Sequence, residues 1–231
     1  MYQDILTIAV VTVFAFFAIY WMWFQGEVDG SRLIAKNSMK QQKFNIILVL
    51  VAAFIVKAIL AVKNEGYSVD ITCFRSWSET VFTGGLSHFY EGDVTDYPPG
   101  YMLVLWLVAA IRHLFNIDNY STTGLFMIKL FPMLFDLAAA YLIYVMAKKR
   151  FSEGMSLMLS ALYALNPAVV IDSSVWGQVD GVLCCMVLLT CYLFMEEKRI
   201  LAYFAFCAGV LLKPQMVMFA PIIIYSIIEQ V

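Results

Sequence analysis

Apolar runs of bilayer length constrain this chain more than any motif does. Residues 5–24 and 44–62 each hold about twenty mostly apolar residues, the length an α-helix needs to cross roughly 30 Å of hydrocarbon. Further apolar stretches occupy residues 124–146, 155–171, 179–195, 201–212 and 216–228. Inside a bilayer the backbone must satisfy its own N–H and C=O groups, so such runs are predicted to be helices. The predicted fold is an all-α polytopic membrane protein. Hydrophobic residues make up 62% of the 231, against about half in a soluble domain. The run at 5–24 is too long for a signal-peptide core and no small-residue cleavage site follows it, so it reads as a retained helix. Net charge is −2, and the basic residues form no run suited to nucleic acid. Cys184, Cys185, Cys191 and Cys207 lie in apolar segments and Cys73 stands apart. They make neither a disulfide framework nor a metal spacing, and are read as packing residues.

Basic residues orient the spans. Arg32, Lys36, Lys40 and Lys43 follow the first run and place that loop in the cytoplasm. The clusters Lys148, Lys149, Arg150 and Lys198, Arg199 require the same side. A full crossing at 102–115 would force the first of these clusters outside, and about 14 residues fall short of the roughly twenty needed. That segment is therefore predicted to be re-entrant or interfacial. The result is one transmembrane domain over residues 1–231 with about seven spans. Its large polar loop, residues 63–101, lies on the extracytoplasmic face together with the 172–180 turn and Lys213. Because the chain stops inside an apolar run, it is expected to be the N-terminal part of a longer enzyme.

The loop is neither a linker nor a soluble domain. Phe74, Trp77, Val81 and Phe82 fall at helical spacing, with Arg75, Ser76, Ser78 and Glu79 between them. That pattern predicts a short amphipathic helix in the membrane interface. Asp70 just ahead of it is either an N-cap or a carboxylate held at the surface as a general base. Glu79, His88 and Asp96 are further acid–base candidates in the same loop.

Three more polar elements fall on the same face. Tyr97-Pro98-Pro99-Gly100-Tyr101 is a rigid turn into the next helix. In the stretch from Asn166 to Gly181, Pro167 breaks a helix near its outer end. Asp172, Trp176, Gln178 and Asp180 then lead to the start of the next helix, where the positive end of its dipole favours a phosphate. Asp180 could equally be that helix's cap. Lys213 of Lys213-Pro214-Gln215 sits between apolar segments and is either a phosphate ligand or a snorkelling lysine. Lys129 and Asp136 share one face of a long helix, where an ion pair to another helix competes with a role in the site. Lys57 is expected to snorkel.

Taken together, these elements resemble the GT-C membrane glycosyltransferases. Within that class they are most similar to the branch related to the second mannosyltransferase of glycosylphosphatidylinositol assembly and its bacterial relatives. The resemblance runs over about residues 44 to 215, and its more specific parts are Trp176-Gly177-Gln178-Val179-Asp180 and Lys213-Pro214-Gln215. It implies a GT-C-like bundle, a polyprenyl-phosphate-linked sugar donor and transfer with inversion of a hexose, mannose first. The acceptor would be a glycan, lipid or protein on the outside of a bacterial plasma membrane. Asp70 would be the catalytic base, with Tyr97, Trp176, Gln178, Asp180 and Lys213 binding donor and substrate; no metal or other cofactor is indicated. Two rival readings are a transporter or flippase for a lipid-linked or small solute, and a non-catalytic membrane subunit.

Overall fold

The computed structural model describes residues 39–92, 95 and 97–228. The predicted span at 5–24 and the candidate Asp96 lie outside the described residues. Among the described residues the secondary structure is helical throughout. Helix α1 (Met39–Lys63) carries Ile46, Ala53, Lys57 and Ala61 on one buried stripe, at the seven- and four-residue spacings that align positions on a helix. Its other faces expose Ile47, Leu48, Val51, Ile55 and Ile59, as a helix bordering lipid would. Helix α2 (Ser68–Gly92) follows, then α3 (Pro99–Leu114) and α4 (Thr122–Ala147), capped by the Ser121 hydroxyl, which accepts from Gly124 N–H at 3.0 Å. α1 and α4 are each long and apolar enough to cross a membrane.

The next span is broken. Helix α5 (Glu153–Ala164) and the segment Pro167–Trp176 meet at 48°. Pro167 cannot donate into the preceding turn, and Asn166 caps the new start by accepting from Ala168 N–H at 2.9 Å. The second half opens as helix α6 (Pro167–Val170) and widens into a π-helical turn, Ile171–Trp176. Helices α7 (Asp180–Met195), α8 (Arg199–Leu212) and α9 (Ala220–Ile228) complete the bundle, with a 3₁₀ turn at Pro214–Phe219.

Contacts between helix ends give the bundle two distinct poles. At one pole, Lys148 reaches Gln42 at 2.6 Å, Lys149 pairs with Glu196, and Tyr144 bonds Glu153. At the other, Lys129 near the start of α4 bonds the end of α1, and Lys213 after α8 pairs with Asp180 at the start of α7. Helix α3 starts at this second pole, where a Cβ on Gly100 would meet the Leu211 carbonyl oxygen at 2.5 Å. It ends at the same pole, where Arg112 donates to Ile117 O just before the Ser121 cap. Segment 102–115 thus lies across that pole of the bundle.

Helix α2 is far longer than the short helix expected over residues 74–82, running 25 residues with a kink at Gly85. Of its predicted apolar stripe, Phe74 and Val81 are inaccessible in a core shared with Tyr101, Leu105, Ile128 and Val182, Trp77 packs half-buried against that core, and Phe82 is half-buried. Burying this face of α2 beneath α3 is what holds the hairpin on the bundle. Towards the far end of α3, Glu79 pairs with Arg112 and bonds His113 Nε2 at 3.0 Å, and the His113 ring stacks on Phe82 with centroids 4.4 Å apart.

Candidate active site

Asp70 occupies the first turn of α2 rather than a position ahead of it, so it is not that helix's N-cap. It is half-buried, and its carboxylate is held by partners more than a hundred residues away. Trp176 Nε1 donates to Oδ2 at 2.9 Å and Gln178 Nε2 to the same oxygen at 3.1 Å. Among the described residues Oδ1 accepts no side-chain or backbone donor. Gln178 is oriented in turn, since its Oε1 accepts from Tyr97 OH at 2.9 Å and from Val179 N–H at 2.9 Å. The Tyr97 ring stands edge-on to Phe74 and is tilted against Trp77 and Tyr101. Four predicted residues, Asp70, Tyr97, Trp176 and Gln178, therefore form one connected network.

The backbone that delivers Trp176 and Gln178 is unusual. The π-helical turn ends at Gly177, whose φ of +89° is the left-handed region glycine enters without steric cost. The reversal lets two successive amides, of Gly177 and Gln178, both donate to Asp172 O at 2.9 Å. Tyr67 closes the other side: its N–H donates to Trp176 O at 2.9 Å and its ring lies 4.9 Å from the indole.

Lys213, Asp180 and Asp172 form an adjoining charged group. Lys213 is buried and paired with Asp180, whose side chain is 57% exposed. Asp180 is the first residue of α7 and Val179 its cap. The Asp172 carboxylate lies within electrostatic reach of Asp136, Lys213 and Lys57. The start of α7, expected to hold a phosphate, already carries the Asp180 carboxylate.

Lys57 does not snorkel. It is completely buried, and its ammonium donates to Asp136 Oδ2 at 2.8 Å, Ser173 Oγ at 3.1 Å and Val169 O at 3.1 Å. Asp136 is thus paired to another helix, and Lys129, on its own helix, takes backbone carbonyls instead. An ionisable residue inside an apolar run demands a partner, and that signal was present at Lys57.

The remaining candidates lie apart from Asp70. Glu79 is nine residues further along α2, and at 100° per residue nine steps lead to the opposite face. Burial works against its ionisation, but hydrogen bonds and charge from His113 and Arg112 outweigh this and hold its carboxyl below the ordinary glutamate value. His88 is exposed and lies beyond the kink at Gly85, away from the first turn that holds Asp70. Among the described residues no cluster of His, Cys, Asp and Glu is arranged to hold a metal ion.

Residues 96–231 match the family described as dolichyl-phosphate-mannose-protein mannosyltransferase, which is more than half of the chain. The chain belongs to this mannosyltransferase family. The matched region includes Tyr97, Trp176, Gln178, Asp180 and Lys213, whereas α2 and Asp70 precede it. GPI mannosyltransferase 1 of Saccharomyces cerevisiae is 27% identical over 128 residues, 53% of this chain. Both comparisons agree with the resemblance to GT-C mannosyltransferases. The mannosyltransferase-family chain spans about 29% of the length of this curated relative. No solved structure matches it. Family membership and the apolar helices identify an integral membrane protein of GT-C type.

Proposed function

We propose that the protein is an inverting glycosyltransferase that moves mannose from a polyprenyl-phosphate-linked donor to an acceptor hydroxyl at the extracytoplasmic face. One observation carries the reading: Asp70 is held by two donors on Oδ2 while, among the described residues, Oδ1 is left open, at the same pole of the bundle as Lys213. A carboxylate fixed in this way is suited to general base catalysis. Asp70 Oδ1 takes the proton of the acceptor hydroxyl as that oxygen bonds to the anomeric carbon. The bond from that carbon to the phosphate oxygen breaks on the opposite face, which inverts the configuration. The lipid phosphate departs with the bonding electron pair, and the Lys213 ammonium compensates its charge. Lys213 exchanges Asp180 for phosphate when donor binds, with the Asp172 carboxylate within electrostatic reach of its ammonium.

The test is transfer of radiolabelled mannose from polyprenyl-phosphate-mannose in membranes, comparing the wild type with Asp70→Asn. Loss of a general base costs roughly 10²- to 10⁴-fold, so Asp70→Asn should fall by that factor while inserting normally. Unchanged transfer would rule out Asp70 as the base. Transfer with retained anomeric configuration would rule out single displacement.

A further inference from the structure

We propose that Lys129 is a positioning residue for the Asp70 site, acting through the backbone alone; the inference rests on the reading above. Lys129 is completely buried on α4, and among the described residues its ammonium has no carboxylate partner. It donates to Asn64 O at 2.7 Å, Ser174 O at 3.0 Å and Val175 O at 3.3 Å, with Ala61 O at 3.5 Å. All four carbonyls belong to helix C-terminal ends, where carbonyls lack intrahelical donors and the dipole is negative. An ammonium has three protons to give, so the site uses every one.

What matters is where those carbonyls lead. Asn64 is followed by Gly66 and Tyr67, whose N–H is bonded to Trp176 O, and then by Asp70. Ser174 and Val175 run directly into Trp176 and Gln178. A single ammonium therefore ties together the two backbone ends that carry the acceptor and the donors of the Asp70 network. Lys129 also packs beside the corner: a Cβ on Gly177 would meet Ile71 Cδ1 at 2.7 Å and Lys129 Cε at 3.2 Å. Lys57 holds the earlier part of the same turn, but it is committed to Asp136. Without Lys129 the two ends keep the Tyr67 N–H bond to Trp176 O and the ring contact beside it, but Trp176 and Gln178 are held less firmly against Asp70 Oδ2.

The test is a pair of perturbations of one corner, each combined with Trp176→Phe. Lys129→Met removes the ammonium at similar length, and Gly177→Ala pushes on the corner with the charge intact. Each should lower kcat about tenfold or more and leave the donor KM within about threefold, as lost alignment of a charged hydrogen bond predicts. Adding Trp176→Phe to either should cost less than about threefold more, because both changes remove the same contact. Effects that multiply, or a folded Lys129→Met protein with wild-type kcat, would overturn the proposal. If Lys129→Met does not fold, Lys129→Gln, which keeps a donor but not the charge, decides by the same criteria. The Trp176 environment is read independently, as the fluorescence difference between each protein and its Trp176→Phe counterpart. A more quenchable Trp176 in the Lys129 variant supports the clamp, and an unaltered one overturns it, even if the wild type transfers no mannose and the proposed function itself falls.

Discussion

The Trp176 indole nitrogen donates to Asp70 Oδ2 across 2.9 Å, joining residues 106 positions apart. The bond ties the first turn of α2 to the end of the π-helical turn, and Gln178 repeats it on the same oxygen. Fixing one carboxylate oxygen while leaving the other open is what gives Asp70 its direction.

Trp176→Phe keeps an aromatic ring beside Tyr67 and deletes only the indole donor. A hydrogen bond to a charged group is worth about 1.5–3 kcal/mol, so transfer should fall roughly tenfold or more with folding preserved. Steady-state mannose transfer by purified protein measures it, and wild-type kcat would show that the bond does not orient the base.

Lys213→Met removes the buried cation beside Asp172 and Asp180. If Lys213 meets the donor phosphate, the donor KM should rise roughly tenfold or more, the scale of a charge-assisted hydrogen bond. Titrating transfer against polyprenyl-phosphate-mannose checks this; an unchanged donor KM would assign Lys213 to structure alone.

The Lys57–Asp136 pair is fully buried, and among the described residues Asp136 Oδ1 has no hydrogen-bond partner of its own. Removing one member of such a pair costs about 3–5 kcal/mol, because the other charge stays buried. Lys57→Met alone should therefore lower the thermal midpoint in detergent more than Lys57→Met with Asp136→Leu together. A double variant less stable than the single one would contradict this.

The α2–α3 hairpin should weaken in acid through Glu79. Its carboxyl is held below the ordinary value of 4.5 in the folded protein. A depressed carboxyl contributes stability that is full above its unfolded pKa and is lost as pH falls through the folded one. The thermal midpoint should therefore decline as pH drops below about 4.5, and Glu79→Gln should flatten that decline. An identical acid slope in Glu79→Gln would place the sensitivity elsewhere.

Much of this architecture was readable from local pattern. Helical spacing of Phe74, Trp77 and Val81 marks the face of α2 that is buried, and Pro167 marks where the fifth helix breaks. The polar residues from Asn166 to Gly181 stand out because hydrocarbon excludes them without a reason. Such features depend on residues within a turn or two of one another, and periodicity and backbone sterics act over that range. Partner choice does not. Lys57 reads as a snorkelling lysine until α1 is packed against α4 and the π-helical turn, because Asp136 and Ser173 are 79 and 116 positions away. Whether Asp70 caps its helix or faces Trp176, and whether Lys129 answers a carboxylate or four carbonyls, depends on how helix ends meet at one pole of the bundle. Burial there forces every donor and acceptor to find a partner, and only close packing brings such distant groups together.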